Sequence, residues 1–97
     1  MSRIELAPGA WDDLKESFNW YLARSPESAI RFENAVNEAL SLVATDPMRF
    51  PKVDRRHQRC PLAEPFDFDL IYRRENDRIY VVAIAHHSRR PKYWRRR

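Results

Sequence analysis

The chain has 97 residues, 43% apolar and 33% charged, with a formal net charge of +4, a length that suits one domain with a modest core and leaves no room for two. Its single cysteine, Cys60, excludes an internal disulfide, and a start broken by Glu5 and Pro8 lacks the pattern of a secretory signal, so the chain reads as cytoplasmic. No apolar run approaches the roughly 20 residues a helix needs to cross a bilayer, so no membrane span is expected.

Arg3 to Ala7 alternates polar and apolar, predicting a short first strand that Pro8-Gly9 ends. From Ala10 the period becomes helical. Trp11, Leu14, Phe18, Tyr21 and Leu22 share one side, with Asp12, Asp13, Lys15, Glu16 and Asn19 largely elsewhere, so a helix is expected to end near Arg24. Ser25-Pro26-Glu27 then restarts it: Ser as N-cap, Pro where its missing N–H is harmless, and Glu at the positive end of the helix. The second stripe is Ala29, Phe32, Val36, Ala39, Leu40 and Val43, and Asp46-Pro47 stops it. So short a link makes an antiparallel helical hairpin, and two apolar stripes on one hairpin need a sheet to cover.

Residues 47–65 hold Pro47, Pro51, Pro61 and Pro65 around the basic cluster Lys52, Arg55, Arg56, His57 and Arg59, which predicts a surface loop and one short strand near Arg59 to Leu62. Phe66, Phe68, Leu70 and Tyr72 then alternate with Asp67, Asp69, Ile71 and Arg73, the period of a strand with one face on the core. Glu75-Asn76-Asp77 supplies a turn. The unbroken apolar run Ile79 to Ala85 places the last strand centrally, buried on both faces or nearly so. The order is therefore β-α-α-β-β-β, an α+β fold with a helical hairpin on a small, mainly antiparallel sheet and a basic C-terminal tail. No internal repeat or linker interrupts residues 1–97.

Charge is unevenly divided. Residues 1–50 hold five Lys and Arg against eight carboxylates, whereas residues 51–97 hold thirteen against six. From Arg89 onward there are six cations, no carboxylate, and two aromatics, Tyr93 and Trp94. Guanidiniums and rings delivered to one place after a strand ending in His86-His87 suit an anionic partner, either nucleic acid or an acidic protein. Pro91 lacks a ladder N–H and restrains Arg90 to an extended conformation, so Tyr93, Trp94 and the last arginines are expected to project as a surface segment. Trp20 lies away from the first helical stripe, where an exposed ring often marks a contact.

Several chemistries are disfavoured. Gly9 is the only glycine, so no Gly-rich phosphate loop exists and no cofactor is expected. His57 and Cys60 form a single close pair, and His86 and His87 point to opposite strand faces, which does not make a metal site. Phosphodiester cleavage needs a base, an acid and cations for the developing charge, for which His86, His87, Tyr93, Arg73 and Arg89 are the candidates.

The sequence resembles the RelE/ParE superfamily of bacterial toxins. The likeness rests on the Trp11-to-Leu22 helix, Ser25-Pro26-Glu27-Ser28-Ala29 with Arg31-Phe32 behind it, the Pro47-Met48-Arg49-Phe50-Pro51 bend, the Phe68-Asp69-Leu70-Ile71-Tyr72-Arg73 strand, and above all Ala85-His86-His87-Ser88-Arg89-Arg90-Pro91-Lys92-Tyr93-Trp94. It implies a small toxin neutralised by an acidic antitoxin, with which it would form an oligomer. ParE-like members act on DNA gyrase without being enzymes, whereas RelE-like members cut mRNA on the ribosome. The motifs lie closer to the ParE side, because only Lys52 stands in the middle region where RelE-type cleavage has a lysine-rich set, and Tyr93 sits in a different motif. On this reading Arg89, Arg90, Lys92, Tyr93, Trp94 and Arg95 meet the target, while Trp20, Arg55, Arg56 and Arg59 meet the antitoxin. A non-toxic interaction domain is the remaining alternative.

Overall fold

A computed structural model describes residues 3–97. Its elements are β1 (Arg3–Leu6), α1 (Pro8–Leu22), α2 (Pro26–Thr45), β2 (Gln58–Pro61), β3 (Phe68–Glu75) and β4 (Arg78–His86). The strands form one sheet in the order β1-β4-β3-β2. β1 runs parallel to β4, and the other two pairings are antiparallel. The α+β architecture expected from the periodicities is the one found. β4 is interior, which its apolar run demanded: Ile79, Val81, Val82, Ala83 and Ile84 are each at most 1% exposed.

The helical hairpin covers one face of this sheet. Ser25 Oγ accepts from the Ser28 N–H at 3.3 Å and starts α2 as its sequence requires. Phe32, Val36 and Val43 then pack with Phe68, Leu70, Tyr72, Ile79 and Val81. Phe32 stacks tilted on Phe68 at 4.9 Å and meets the edge of Phe66 at 5.6 Å. Offset and edge geometries of this kind add to the burial itself.

The opposite face is covered by the tail. A register shift between Ile71 and Tyr72 pairs Ile71 with Ala83 but Tyr72 with Val81, so Val82 is the extra residue of a bulge. Ile71, Val82 and Ala83 form a second apolar cluster closed by Trp94, which is 4% exposed. The tail therefore does not project. Lys92, with φ at 55°, takes the left-handed conformation that reverses the chain after Pro91, and apolar area on the second face rewards the return of Trp94.

Smaller differences have equally local causes. α1 begins at Pro8, because Pro at a first helical position loses nothing, and the strand before it stops at Leu6. Trp11 and Leu22 are 56% and 45% exposed, while Ala10 and Asp13 are buried. The buried stripe of α1 is thus rotated away from Trp11 and Leu22, toward the side on which Asp13 bonds β4. β2 starts one residue earlier than expected, at Gln58, and Phe66 lies in the approach to β3 rather than in it.

Candidate functional site

One carboxylate organises the join between α1, β4 and the tail. Asp13 Oδ2 accepts the Ile84 N–H at 3.1 Å, the Tyr93 hydroxyl at 2.9 Å and the Arg97 Nη1 at 2.7 Å. Arg97 also donates to the Val82 carbonyl at 3.0 Å, and its own carbonyl accepts from Arg73 Nη1 at 2.9 Å. A buried carboxylate is tolerable only when donors surround it, as they do here. Burial first, and then the Asp13 charge, raise the Tyr93 phenol well above its ordinary range. It stays protonated and commits its hydrogen to Asp13.

Beside this join lies a groove of about 330 Å³, lined by Trp20, Tyr21, Phe68, His86, Ser88 and Arg89, with Asp13, Glu16 and Ser17 at its polar side. β4 ends at His86, whose Nδ1 accepts the Ser88 N–H at 3.0 Å and lies 2.7 Å from Ser88 Oγ. Its ring meets the face of Phe68 edge-on at 4.9 Å. The Arg89 guanidinium sits 4.0 Å from the centre of the Tyr93 ring. Across the groove Trp20 is 52% exposed, and the Arg24 guanidinium lies 3.5 Å over its ring. Aromatic surface beside cations with no carboxylate partner among the described residues is the composition of a recognition surface.

His87, the first residue after β4, lies with Nε2 3.4 Å from Asp69 Oδ1. Arg59 approaches the same oxygen at 3.6 Å. In the basic loop Asp54 Oδ1 accepts the N–H groups of Arg56 and His57 at 2.8 and 2.7 Å and faces the His57 ring. Burial alone would raise the Asp54 carboxyl, but those hydrogen bonds hold it down to about 2. His57 itself is buried, its ring 4.8 Å from Trp94. Cys60 is buried as well, and desolvation pushes its thiol up to about 11, which leaves little thiolate. No group of three His, Cys, Asp or Glu suited to a metal occurs among the described residues.

The expected site residues are thus only partly gathered. His86, Arg89 and Trp20 share one groove, with Tyr93 behind it. Arg90 and Arg95 are exposed, Lys92 is half-buried at the turn, and Trp94 is covered, so it supports the surface instead of forming it. Arg73 is engaged by Glu75 and the Arg97 carbonyl. Arg55 and Arg56 line a second groove that shares no residue with the first. Asp13 and Arg97 were missed by sequence reasoning. A signal for Asp13 existed, since it shares a helical stripe with the small residues Ala10 and Ser17, but a single charge next to Asp12 reads as solvated.

The chain thus places a two-helix hairpin on a β1-β4-β3-β2 sheet, with a basic tail folded beside an aromatic groove. Over residues 4–91 the chain matches the family described as ParE toxin of type II toxin-antitoxin system, parDE, and it belongs to that family. Among solved structures it is similar to one titled "Chromosomal ParDE TA system from P. aeruginosa", at 18% identity and a TM-score of 0.76, covering 89% of this chain and 96% of that one. At that identity the likeness concerns the fold. No curated protein matches the chain.

Proposed function

We propose that this chain is the toxin of a type II toxin–antitoxin pair, that it inhibits DNA gyrase by binding it, and that an acidic antitoxin segment neutralises it. Family membership supports the toxin class. The observation that carries binding over cleavage is the disposition of the candidate acid–base groups. The Tyr93 hydroxyl is donated to Asp13, Arg73 is held by Glu75 and the tail, and His87 faces Asp69. These groups do not converge on one reacting phosphate, as phosphodiester cleavage requires. Exposed Arg89 in the Trp20 groove, with Arg90 and Arg95 exposed on the tail, instead offers charge and aromatic area to a protein surface. Arg55, Arg56 and Arg59 add to the long-range attraction that speeds encounter with an acidic antitoxin.

A ribosome-dependent endoribonuclease is the second reading, because His86 and Arg89 do share a groove. Purified protein incubated with gyrase and plasmid DNA, and separately with translating ribosomes and mRNA, separates the two. Inhibition of supercoiling with intact mRNA is the expected result. Cleaved mRNA with unaffected gyrase would reverse the assignment, and His86→Gln would then lose about 10²-fold or more of that cleavage.

A further inference from the structure

We propose that the second groove, between the 52–56 loop and the β3–β4 hairpin, is a binding site for the phosphodiester backbone of nucleic acid. The groove encloses about 410 Å³ and presents Lys52, Arg55, Arg56, Arg73 and Arg74 against one carboxylate, Glu75. That carboxylate is already spent. Glu75 pairs with Arg73 and Arg78, whose hydrogen bonds hold its carboxyl below the ordinary range. Asp54, on the same loop, is turned to His57 and to the backbone N–H groups of its own loop.

Two of the arginines, Arg73 and Arg74, are built into position. Gln58 is 4% exposed, and its Nε2 donates to the Pro47 and Phe50 carbonyls, each at 2.8 Å. This leaves its Oε1 to accept the Arg74 Nε at 3.0 Å. Among the described residues Arg74 is therefore fixed through Nε alone, with both Nη groups uncommitted. Arg73 is held through Nε and Nη1, leaving Nη2. Preorganised guanidinium forks match phosphate oxygens in pairs and lose less freedom on binding than free side chains.

The lining also discriminates between anions. It holds no apolar or aromatic side chain, so a peptide would find no anchor for the buried side chains that dominate protein interfaces, and a base would find no ring to stack on. What remains is contact with regularly spaced phosphates, independent of sequence. The site is distinct from the Trp20 groove, and it stands whether or not gyrase is the target.

The test is binding of a fluorescein-labelled duplex oligonucleotide, without gyrase, by anisotropy over a range of salt. Arg55→Gln/Arg56→Gln removes two exposed cations that have no side-chain partner among the described residues, and Arg74→Gln is added in a triple variant. The slope of log affinity against log salt should fall by about 1 for each phosphate contact removed. The double variant should bind at least about tenfold more weakly at low salt, while Arg95→Gln/Arg96→Gln in the tail should keep most of the affinity. Unchanged DNA binding in the double variant, with loss in the tail variant, would overturn the assignment. So would poly-glutamate of equal charge displacing the duplex more effectively than unlabelled DNA does, which would make the groove an acidic-peptide site.

Discussion

Arg97 and Asp13, 84 positions apart, are joined by a 2.7 Å hydrogen bond that fastens the tail to the first helix. Asp13 is 5% exposed, and removing its carboxylate would strand a guanidinium, a phenol and the Ile84 N–H. Breaking a buried pair from one side costs about 3–5 kcal/mol, and the 24% exposure of the Arg97 side chain lets water recover part of that. Asp13→Ala should therefore lose about 2–4 kcal/mol in denaturant unfolding. Combined with Arg97→Gln, it should lose clearly less than the sum of the two single changes. Simple additivity would show that the contact does not hold the tail.

Gly9 reports on the same fastening with the opposite prior. In an ordinary helical position Gly→Ala gains roughly 0.5–1 kcal/mol. Here a Cβ would lie 2.4 Å from the Arg97 Nε and 2.6 Å from its Cζ. The guanidinium would have to leave Asp13 to make room. Gly9→Ala is thus expected to lower the unfolding midpoint. A higher midpoint would mean that Arg97 moves aside freely.

The elements were legible because each follows from local pattern: the Ser25-Pro26 restart, the alternation through Phe68 and Tyr72, and the apolar run of β4 all signal their own structure. The second face was not. Nothing in the spacing of Ile71, Val82 and Ala83 says what covers them, and the residue that does, Trp94, sits among arginines whose charge suggests a projecting segment. Trp11 misled for a related reason. Its size marks it as core on a helical wheel, but a wheel is blind to a buried charge, and Asp13, accepting the Ile84 N–H, takes the inward side of the helix. Of the candidate site, His86, Arg89 and Trp20 were legible as individuals, and their common groove required the fold.

Asp54 makes stability depend on acid. Its carboxyl is held at about 2, below the ordinary 3.8, chiefly because backbone and ring hydrogen bonds from Arg56 and His57 outweigh burial. A group depressed in the folded state contributes stability that is fully present above its unfolded value and is lost as pH falls through its folded value. The contribution should be complete above about pH 4–5 and vanish near pH 2. Asp54→Asn should accordingly be less stable than the parent at pH 6, with the gap closing in acid. A gap independent of pH would mean that the side chain acts through shape alone.

Surface contact and structural support can be separated within the tail itself. Arg90 and Arg95 are exposed, with no carboxylate partner among the described residues, so reversing their charge should move stability by no more than about 0.5 kcal/mol. If the tail meets gyrase, Arg90→Glu/Arg95→Glu should lose inhibition of supercoiling with an unchanged melting temperature. Trp94, closed over Ile71, Val82 and Ala83, belongs to the other category. Trp94→Ala should cost about 3–5 kcal/mol and take inhibition with it. For the same reason, removing residues 93–97 should unfold or strongly destabilise the domain, so loss of toxicity in a truncation would say nothing of target contact. A charge-reversed variant that melts normally and still inhibits gyrase fully would move the target surface off the tail, to the Trp20 groove.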